Sequence, residues 1–276
     1  MYLNEIDFIK DALKEDIGRG DLFSRVSKPK DISAYIVAKS EGVFAGERYL
    51  KAFEALFSDI EIEYNVKDGN DFKVGDKLIE IRGNSHIILS IERTMLNTVL
   101  HASSIATLTN KYIQKIKKYN VKLLDTRKTR PHLRELEKYA IRCGGGINHR
   151  MGLDDCLMLK DTHLKTIKDL KAFMKEVREK IPFTSKVEIE CESIDEVKNA
   201  FEAGADIVMC DNMDISDIRE IVHLRDNKYP HILLEASGNV NLETIEDIAK
   251  TGVDAISTGS TIHQACWIDL SMKVVE

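Results

Sequence analysis

Apolar positions change rhythm along the chain, and the changes mark out its elements. From Ile6 to Glu15 they recur at helical spacing and predict an opening helix. AYIVAK (residues 34–39), IEIEYNV (60–66) and KLIEIRG (77–83) alternate or cluster β-branched residues between Gly, Asp and Asn turns, which predicts strands. His86 to Tyr119 then carries helical spacing without a Gly or Pro. A pattern that long predicts a break, placed at Ala102-Ser103-Ser104, and the domain boundary with it: residues 1–103 and 104–276. After Tyr119 short apolar runs alternate with helical segments: VKLLD, CLMLK, VEIEC, DIVMCD, ILLEA and AISTG. That alternation predicts parallel βαβ units. About six strands approach the eight of a closed barrel. An open doubly wound sheet is the alternative, weakened because no GxGxxG follows a strand.

The ends of these strands carry the chemistry. They finish at Asp125, Lys160, Glu190, Asp211, Glu235 and Ser257. For any one strand, a polar end needs no further explanation. Lys, Glu and Asp each ending an apolar strand is harder to dismiss, because a buried charge without a partner is costly. Barrel enzymes gather their site at this end. Ser237-Gly238-Asn239 and Ser257-Thr258-Gly259-Ser260 each leave a late strand and are expected to enter a helix, at NLETIEDIAK and TIHQ, a setting that favours phosphate. A tight βα turn would explain either one alone; two in consecutive loops favour phosphate. The glycines of IRCGGGINHRMG (141–152) predict a backbone passing close to a ligand and delivering His149 and Arg150. His163 is expected to be structural. Glu190 and Asp211 either hold Mg²⁺ or pair with Lys128 or Lys160.

Charge narrows the ligand. The 276 residues hold 40 Lys plus Arg against 46 Asp plus Glu, a net charge of −6, so general nucleic-acid binding is not expected. Positive charge must then be local, and Arg127, Lys128, Arg150 and Lys160 would ring one barrel mouth. Guanidinium groups bind carboxylate and phosphate through paired hydrogen bonds, so the ligand should be a polyanion carrying both. The N-terminus lacks a basic n-region and apolar h-region, and apolar runs are strand-sized. With five cysteines and no CxxC, this predicts a cytoplasmic protein without a membrane span or metal cluster.

At DTRKT (125–129), GGGINHRMGLDD (144–155) and LKDTHL (159–164) the chain closely resembles quinolinate phosphoribosyltransferases, the decarboxylating enzymes of NAD biosynthesis. KEDIGRGD (14–21), SIERTMLN (90–97), SSIAT (103–107), SGN (237–239) and STGS (257–260) extend the resemblance over nearly the whole chain. It implies an N-terminal α/β sandwich and a C-terminal open, TIM-like α/β barrel, with the last residues returning to the N-terminal domain. The implied reaction joins quinolinate to phosphoribosyl pyrophosphate with Mg²⁺, giving nicotinate mononucleotide, CO₂ and pyrophosphate. Arg93, Arg127, His149 and Arg150 would bind the quinolinate carboxylates, with Thr126 beside them. Lys128 and Lys160 would sit near both substrates as catalytic groups. Glu190 and Asp211 would face the ribose and the metal-bound pyrophosphate, touching the metal directly or through pyrophosphate and water. Ser237, Gly238, Asn239, Ser257, Thr258, Gly259 and Ser260 would hold the phosphate. Arg93 would reach the neighbouring subunit's site, implying a homodimer and leaving a hexamer of dimers open. Arg130 and His132 stand where the family more often has Thr and Gly, and Thr162 where Asn is common; Arg130 is expected to face solvent. Rival readings are a molybdenum-transport-associated homologue with another acceptor, a Schiff-base aldolase using Lys160, and a non-catalytic anion-binding barrel.

Overall fold

The computed structural model describes residues 3–275. It has the α/β class expected, with a four-stranded antiparallel sheet and a two-stranded antiparallel pair (Gly42–Val43 with Asp71–Phe72) in one compact unit and a six-stranded parallel sheet in another. One unit runs to Asn110 and takes in Tyr139–Gly145 and the chain from Ala265; the other comprises Lys111–Lys138 and Gly146–Gln264.

The first unit holds β1 (Asp31–Ala38), β2 (Gly42–Val43), β3 (Ile60–Tyr64), β4 (Asp71–Phe72) and β5 (Lys77–Asn84). The chain's last strand joins them: Leu270–Val274 pairs antiparallel with β1, giving the order Leu270–Val274, β1, β5, β3. Alternation along β1 buries Ala34, Ile36 and Ala38 on one face. Helices Leu3–Ile17 and Glu47–Leu56 pack together, burying Ile9 and Leu13 from one and Tyr49, Leu50, Ala52 and Phe53 from the other.

The long helix is unbroken from Ser85 to Ile116, which corrects the expected break at 102–104. Small hydroxyl residues can interrupt a helix by competing for its backbone, but these do not. Ser104 Oγ donates to the Leu100 carbonyl and Thr107 Oγ1 to the Ser103 carbonyl, each one turn back. The low bulk of Ser103 lets its hydroxyl reach across to Ala45, accepting the Ala45 N–H at 3.0 Å. The small residues there serve close packing.

The second unit is a parallel sheet of β6 (Lys122–Leu124), β7 (Leu157–Leu159), β8 (Val187–Cys191), β9 (Ile207–Asp211), β10 (Leu233–Ser237) and β11 (Ala255–Ser257). Their order is β6-β11-β10-β9-β8-β7. The free edge of β6 carries one further parallel bridge, Leu124 to Ile147. Helices Leu170–Lys180, Ile194–Glu202 and Ile215–Lys228 connect the strands from β7 to β10. Asp169 and Ser193 cap the first two, their side chains accepting the N–H groups of Ala172 and Glu196. After β10 and β11 the expected helices shrink to Ile245–Ala249 and Ser260–His263. The Ser237-Gly238-Asn239 loop therefore does not open directly onto a helix, a correction to the helix-dipole argument for phosphate.

Candidate active site

Strand register lines up the functional side chains. Met209 of β9 lies opposite Glu190 of β8 on one side and Glu235 of β10 on the other. Two residues further, Asp211 lies opposite Ser237. Side chains two apart share a face, so Glu190, Met209, Asp211, Glu235 and Ser237 converge. With Thr126, Arg127, Lys128, His149, Arg150, Lys160 and Ser257 they line one cavity of about 660 Å³. A second cavity of about 330 Å³ shares Thr126, Lys128, Ser237 and Ser257 and adds Gly238, Asn239, Thr258, Gly259 and Ser260. Every sequence-predicted site residue thus lines one of two adjoining lobes, except Arg93. Arg93 is exposed on the long helix of the other unit and lines neither.

The larger lobe is the cationic one. Lys160 Nζ lies 2.5 Å from Glu190 Oε2. This ion pair is one of the two alternatives open for Glu190, and a lysine so engaged is a poor Schiff-base nucleophile. Burial, then the like charges of Arg150 and Arg134, draw the Arg127 guanidinium below its ordinary pKa, though an arginine stays charged. Arg127 Nε, Arg150 Nε and Ser257 Oγ are buried without a protein partner. Buried donors are ordinarily paired, so these three are groups a ligand can satisfy.

His149 hangs over a buried acidic pair. Its Nε2 lies 3.0 Å from Glu188 Oε2 and 3.4 Å from Glu235 Oε2. Nδ1 lies 2.7 Å from the Arg150 backbone N, whose N–H it can accept only in the neutral ring with its proton on Nε2, so charging the imidazole gives up that contact. Burial alone would lower the imidazole pKa, but the two carboxylates outweigh it and push it up to about 10. Burial raises Glu188, with Glu235 adding to the rise and His149 opposing it. His149, Glu188 and Glu235 have the composition of a metal trio, their atoms within 4.8 Å of one another. A proton held on Nε2 makes them a buried charge network instead. Glu188 joins this network without being among the residues expected from the sequence, although its two-residue spacing from Glu190 in KVEIEC puts both on one face.

The smaller lobe is built from backbone. Gly238 has φ 87°, and a Cβ there would fall 2.2 Å from Asn212 Oδ1. Only glycine fits this turn. Thr258 and Ser260 turn their hydroxyls toward the Val240 carbonyl, at 3.3 and 3.2 Å, and so brace the two late loops against each other. Two other expectations change. Gly144 does not approach a ligand: a Cβ there would lie 2.5 Å from the Ala106 carbonyl oxygen, so its role is packing on the long helix. Arg130 does more than face solvent, since its Nη1 and N–H both donate to the buried Glu137 carboxylate, at 2.7 and 2.9 Å. His163 lines the larger lobe while its Nδ1 accepts the Lys160 N–H at 3.0 Å, anchoring that strand end.

Residues 21–103 match the family model described as quinolinate phosphoribosyl transferase, N-terminal domain, and residues 105–273 match the C-terminal domain of the same family. The chain belongs to the quinolinate phosphoribosyl transferase family. A probable nicotinate-nucleotide pyrophosphorylase [carboxylating] from Synechocystis is 38% identical, the match covering 97% of this chain and 92% of the relative. One of the same name from Bacillus subtilis is 38% identical over 94% and 90%. The solved nicotinate-nucleotide pyrophosphorylase of Francisella tularensis superposes with a TM-score of 0.93 at 35% identity, over 100% of this chain and 97% of that one. In this quinolinate phosphoribosyl transferase, cations line one lobe of the site, and glycines and hydroxyl residues line the next. No helix among the described residues is long and apolar enough to cross a membrane.

Proposed function

We propose that the two lobes bind quinolinate and phosphoribosyl pyrophosphate side by side and carry out ribosyl transfer with decarboxylation. The observation that carries this reading is the adjoining pair of cavities, one ringed by Arg127, Lys128, Arg150 and Lys160, the other lined by Gly238, Gly259 and hydroxyl side chains. Arg127 and Arg150 fork onto the two carboxylates, with His149 beside them. This fixes the pyridine nitrogen toward the ribose. Backbone N–H groups of the 237–239 and 257–260 loops, with Ser257 Oγ, hold the 5-phosphate. As pyrophosphate leaves, positive charge grows at the sugar carbon. Lys128 and Lys160 stabilise the leaving anion, and Glu190 and Asp211 face the cationic sugar. The pyridine nitrogen bonds to that carbon; when the adjacent carboxylate departs as CO₂, its electron pair stays on the ring carbon, stabilised by the neighbouring cationic nitrogen, and takes up a proton from solvent to give nicotinate mononucleotide. No organic cofactor is required.

Glu190 and Asp211 stand on neighbouring strands and offer the oxygen donors that suit Mg²⁺. Bound there, Mg²⁺ would neutralise charge on the leaving pyrophosphate. The test of the whole reading is incubation with quinolinate, phosphoribosyl pyrophosphate and Mg²⁺. Nicotinate mononucleotide, CO₂ and pyrophosphate in equal amounts are expected. Absence of all three sinks it, and full activity after exhaustive chelation removes the metal from it.

The reading extends to a homodimer in which Arg93 of each protomer completes the partner's site. Arg93→Ala and Lys128→Ala homodimers would each be nearly inactive. Statistical mixing makes about half the dimers hybrid, each with one intact site, so roughly a quarter of the activity should return. Tagged hybrids that stay inactive would show that Arg93 does not act across subunits. The unmodified thiols Cys143, Cys156, Cys191 and Cys210 favour a reducing, cytoplasmic setting.

A further inference from the structure

We propose that Asp125 and Lys138 are positioning residues: a buried ion pair that sets the separation of the two cationic arms of the site. The inference rests on the reading of those arms as the dicarboxylate subsite.

The arms leave the sheet at neighbouring points. One follows β6, where Asp125 leads into Thr126, Arg127 and Lys128. The other is the segment Ile147-Asn148-His149-Arg150. It runs parallel to β6, with the Ile147 N–H on the Leu123 carbonyl at 2.9 Å and the Asp125 N–H on the Ile147 carbonyl at 3.3 Å. There the backbone ladder stops, two residues short of His149. Both backbone polar groups of His149 lie in a buried region and need partners. The ion pair supplies both. Asp125 Oδ1 accepts the His149 N–H at 2.9 Å, and Lys138 Nζ donates to the His149 carbonyl at 2.9 Å. Lys138 Nζ also donates to Asp125 Oδ1. Asn148 closes the set, its Nδ2 donating to Asp125 Oδ2 at 2.5 Å and to the Lys138 carbonyl at 2.8 Å.

Neither side chain of the pair is exposed. An apolar pair of the same volume would pack there, but it would leave the His149 N–H and carbonyl unpaired. One anion and one cation satisfy an N–H and a carbonyl at once. The side chains therefore continue the ladder past the end of the strand and fix where Arg127 and Arg150 emerge. Neither residue reaches the substrate, and neither lines either cavity.

The test measures quinolinate and phosphoribosyl pyrophosphate binding separately, by calorimetry, alongside KM and kcat, for Lys138→Met, Asp125→Asn and the milder Asn148→Ala. Thermal midpoint is recorded for each. Misplacing binding groups by ~1 Å costs on the order of 10²-fold, so quinolinate affinity should weaken by about ten-fold or more in any variant that folds. Phosphoribosyl pyrophosphate affinity should weaken several-fold less than quinolinate affinity, because its phosphate loops at 237–239 and 257–260 hang from other strands and Lys128 is its main contact on the displaced arm. Asp125→Glu, which keeps the charge, should recover part of the quinolinate affinity that Asp125→Asn loses. Equal weakening of both substrates, or wild-type quinolinate affinity in folded Asn148→Ala, overturns the proposal. A wild-type protein that binds quinolinate not at all overturns instead the reading on which it rests.

Discussion

Two lysine–carboxylate pairs stand at the same end of the parallel sheet and have opposite characters. Lys138 and Asp125 are both fully buried, whereas Lys160 is 43% and Glu190 12% exposed. Burial pushes Asp125 up and Lys138 down, each toward neutrality, while their mutual contact opposes both. Donors from Lys138, Asn148 and His149 all converge on Asp125, and three donors on one carboxylate favour the ionised pair. Lys160 and Glu190 face a cavity, and a substrate can exchange partners with them. The difference teaches that access to the cavity, not the pairing itself, decides which lysine a substrate can reach.

The sharpest way to break this comparison is to delete each lysine's charge. Lys138→Met strands a buried carboxylate and should cost about 3–5 kcal/mol of stability by denaturant unfolding. Lys160→Met removes a half-exposed charge whose partner faces the cavity, and should cost no more than about 1 kcal/mol. Equal losses would mean that burial does not separate the two pairs.

Activity should show the reverse asymmetry in mechanism. Lys160→Ala and Lys128→Ala should fold normally and lose on the order of 10²–10³ in kcat, as expected when a group stabilising developing charge is removed. Steady-state rates at saturating substrates read this. Wild-type turnover in both variants would remove these lysines from the chemistry.

The sequence exposed one pair and hid the other for a physical reason. Lys160, Glu190 and Asp211 end apolar strands, where an unexpected charge stands out and the barrel geometry says where it points. Lys138 lies in RELEKYAIRC, where a charged residue on a short amphipathic helix ordinarily faces water. Asp125 was visible as a strand end, but nothing local told that its partner lies thirteen residues on. The α/β architecture was legible because strand and helix periods differ. The unbroken helix at 102–104 was not, since back-bonded hydroxyls and tertiary contact with Ala45 leave no mark on periodicity. Thr258 and Ser260 were legible as a phosphate-loop motif, yet their hydroxyls turn to Val240. Motif position does not reveal side-chain direction.

A subtler contrast concerns pH. The His149 pKa rises from 6.5 to about 10 in the folded state. A raised pKa favours the protonated fold, so this stabilisation is complete below about pH 6.5 and is lost as pH rises toward 10. The raised Glu188 carboxyl acts in the same direction. Stability should therefore fall with rising pH across that window, and Glu188→Gln should flatten the fall by weakening the hold on the imidazole proton. Thermal midpoints at matched ionic strength measure this. An unchanged slope in Glu188→Gln would separate Glu188 from the histidine.

The smallest effect belongs to Arg130, whose partner is buried although it is not. Its side chain is 44% exposed, while the Glu137 side chain is fully buried. Two donors from Arg130 reach that carboxylate, one from the guanidinium and one from the backbone. Arg130→Thr removes only the guanidinium; the backbone N–H at 2.9 Å remains. Solvent screening on the exposed arginine limits the loss to about 1 kcal/mol. The contact also ties down the loop carrying Arg127 and Lys128, so a modest rise in quinolinate KM with unchanged kcat should accompany it. That places Arg130 between the two lysine pairs: a buried anion held by a solvated cation. Stability loss matching Lys138→Met would make Arg130 part of the buried framework. No change in either stability or KM would leave it a surface residue that merely rests on Glu137.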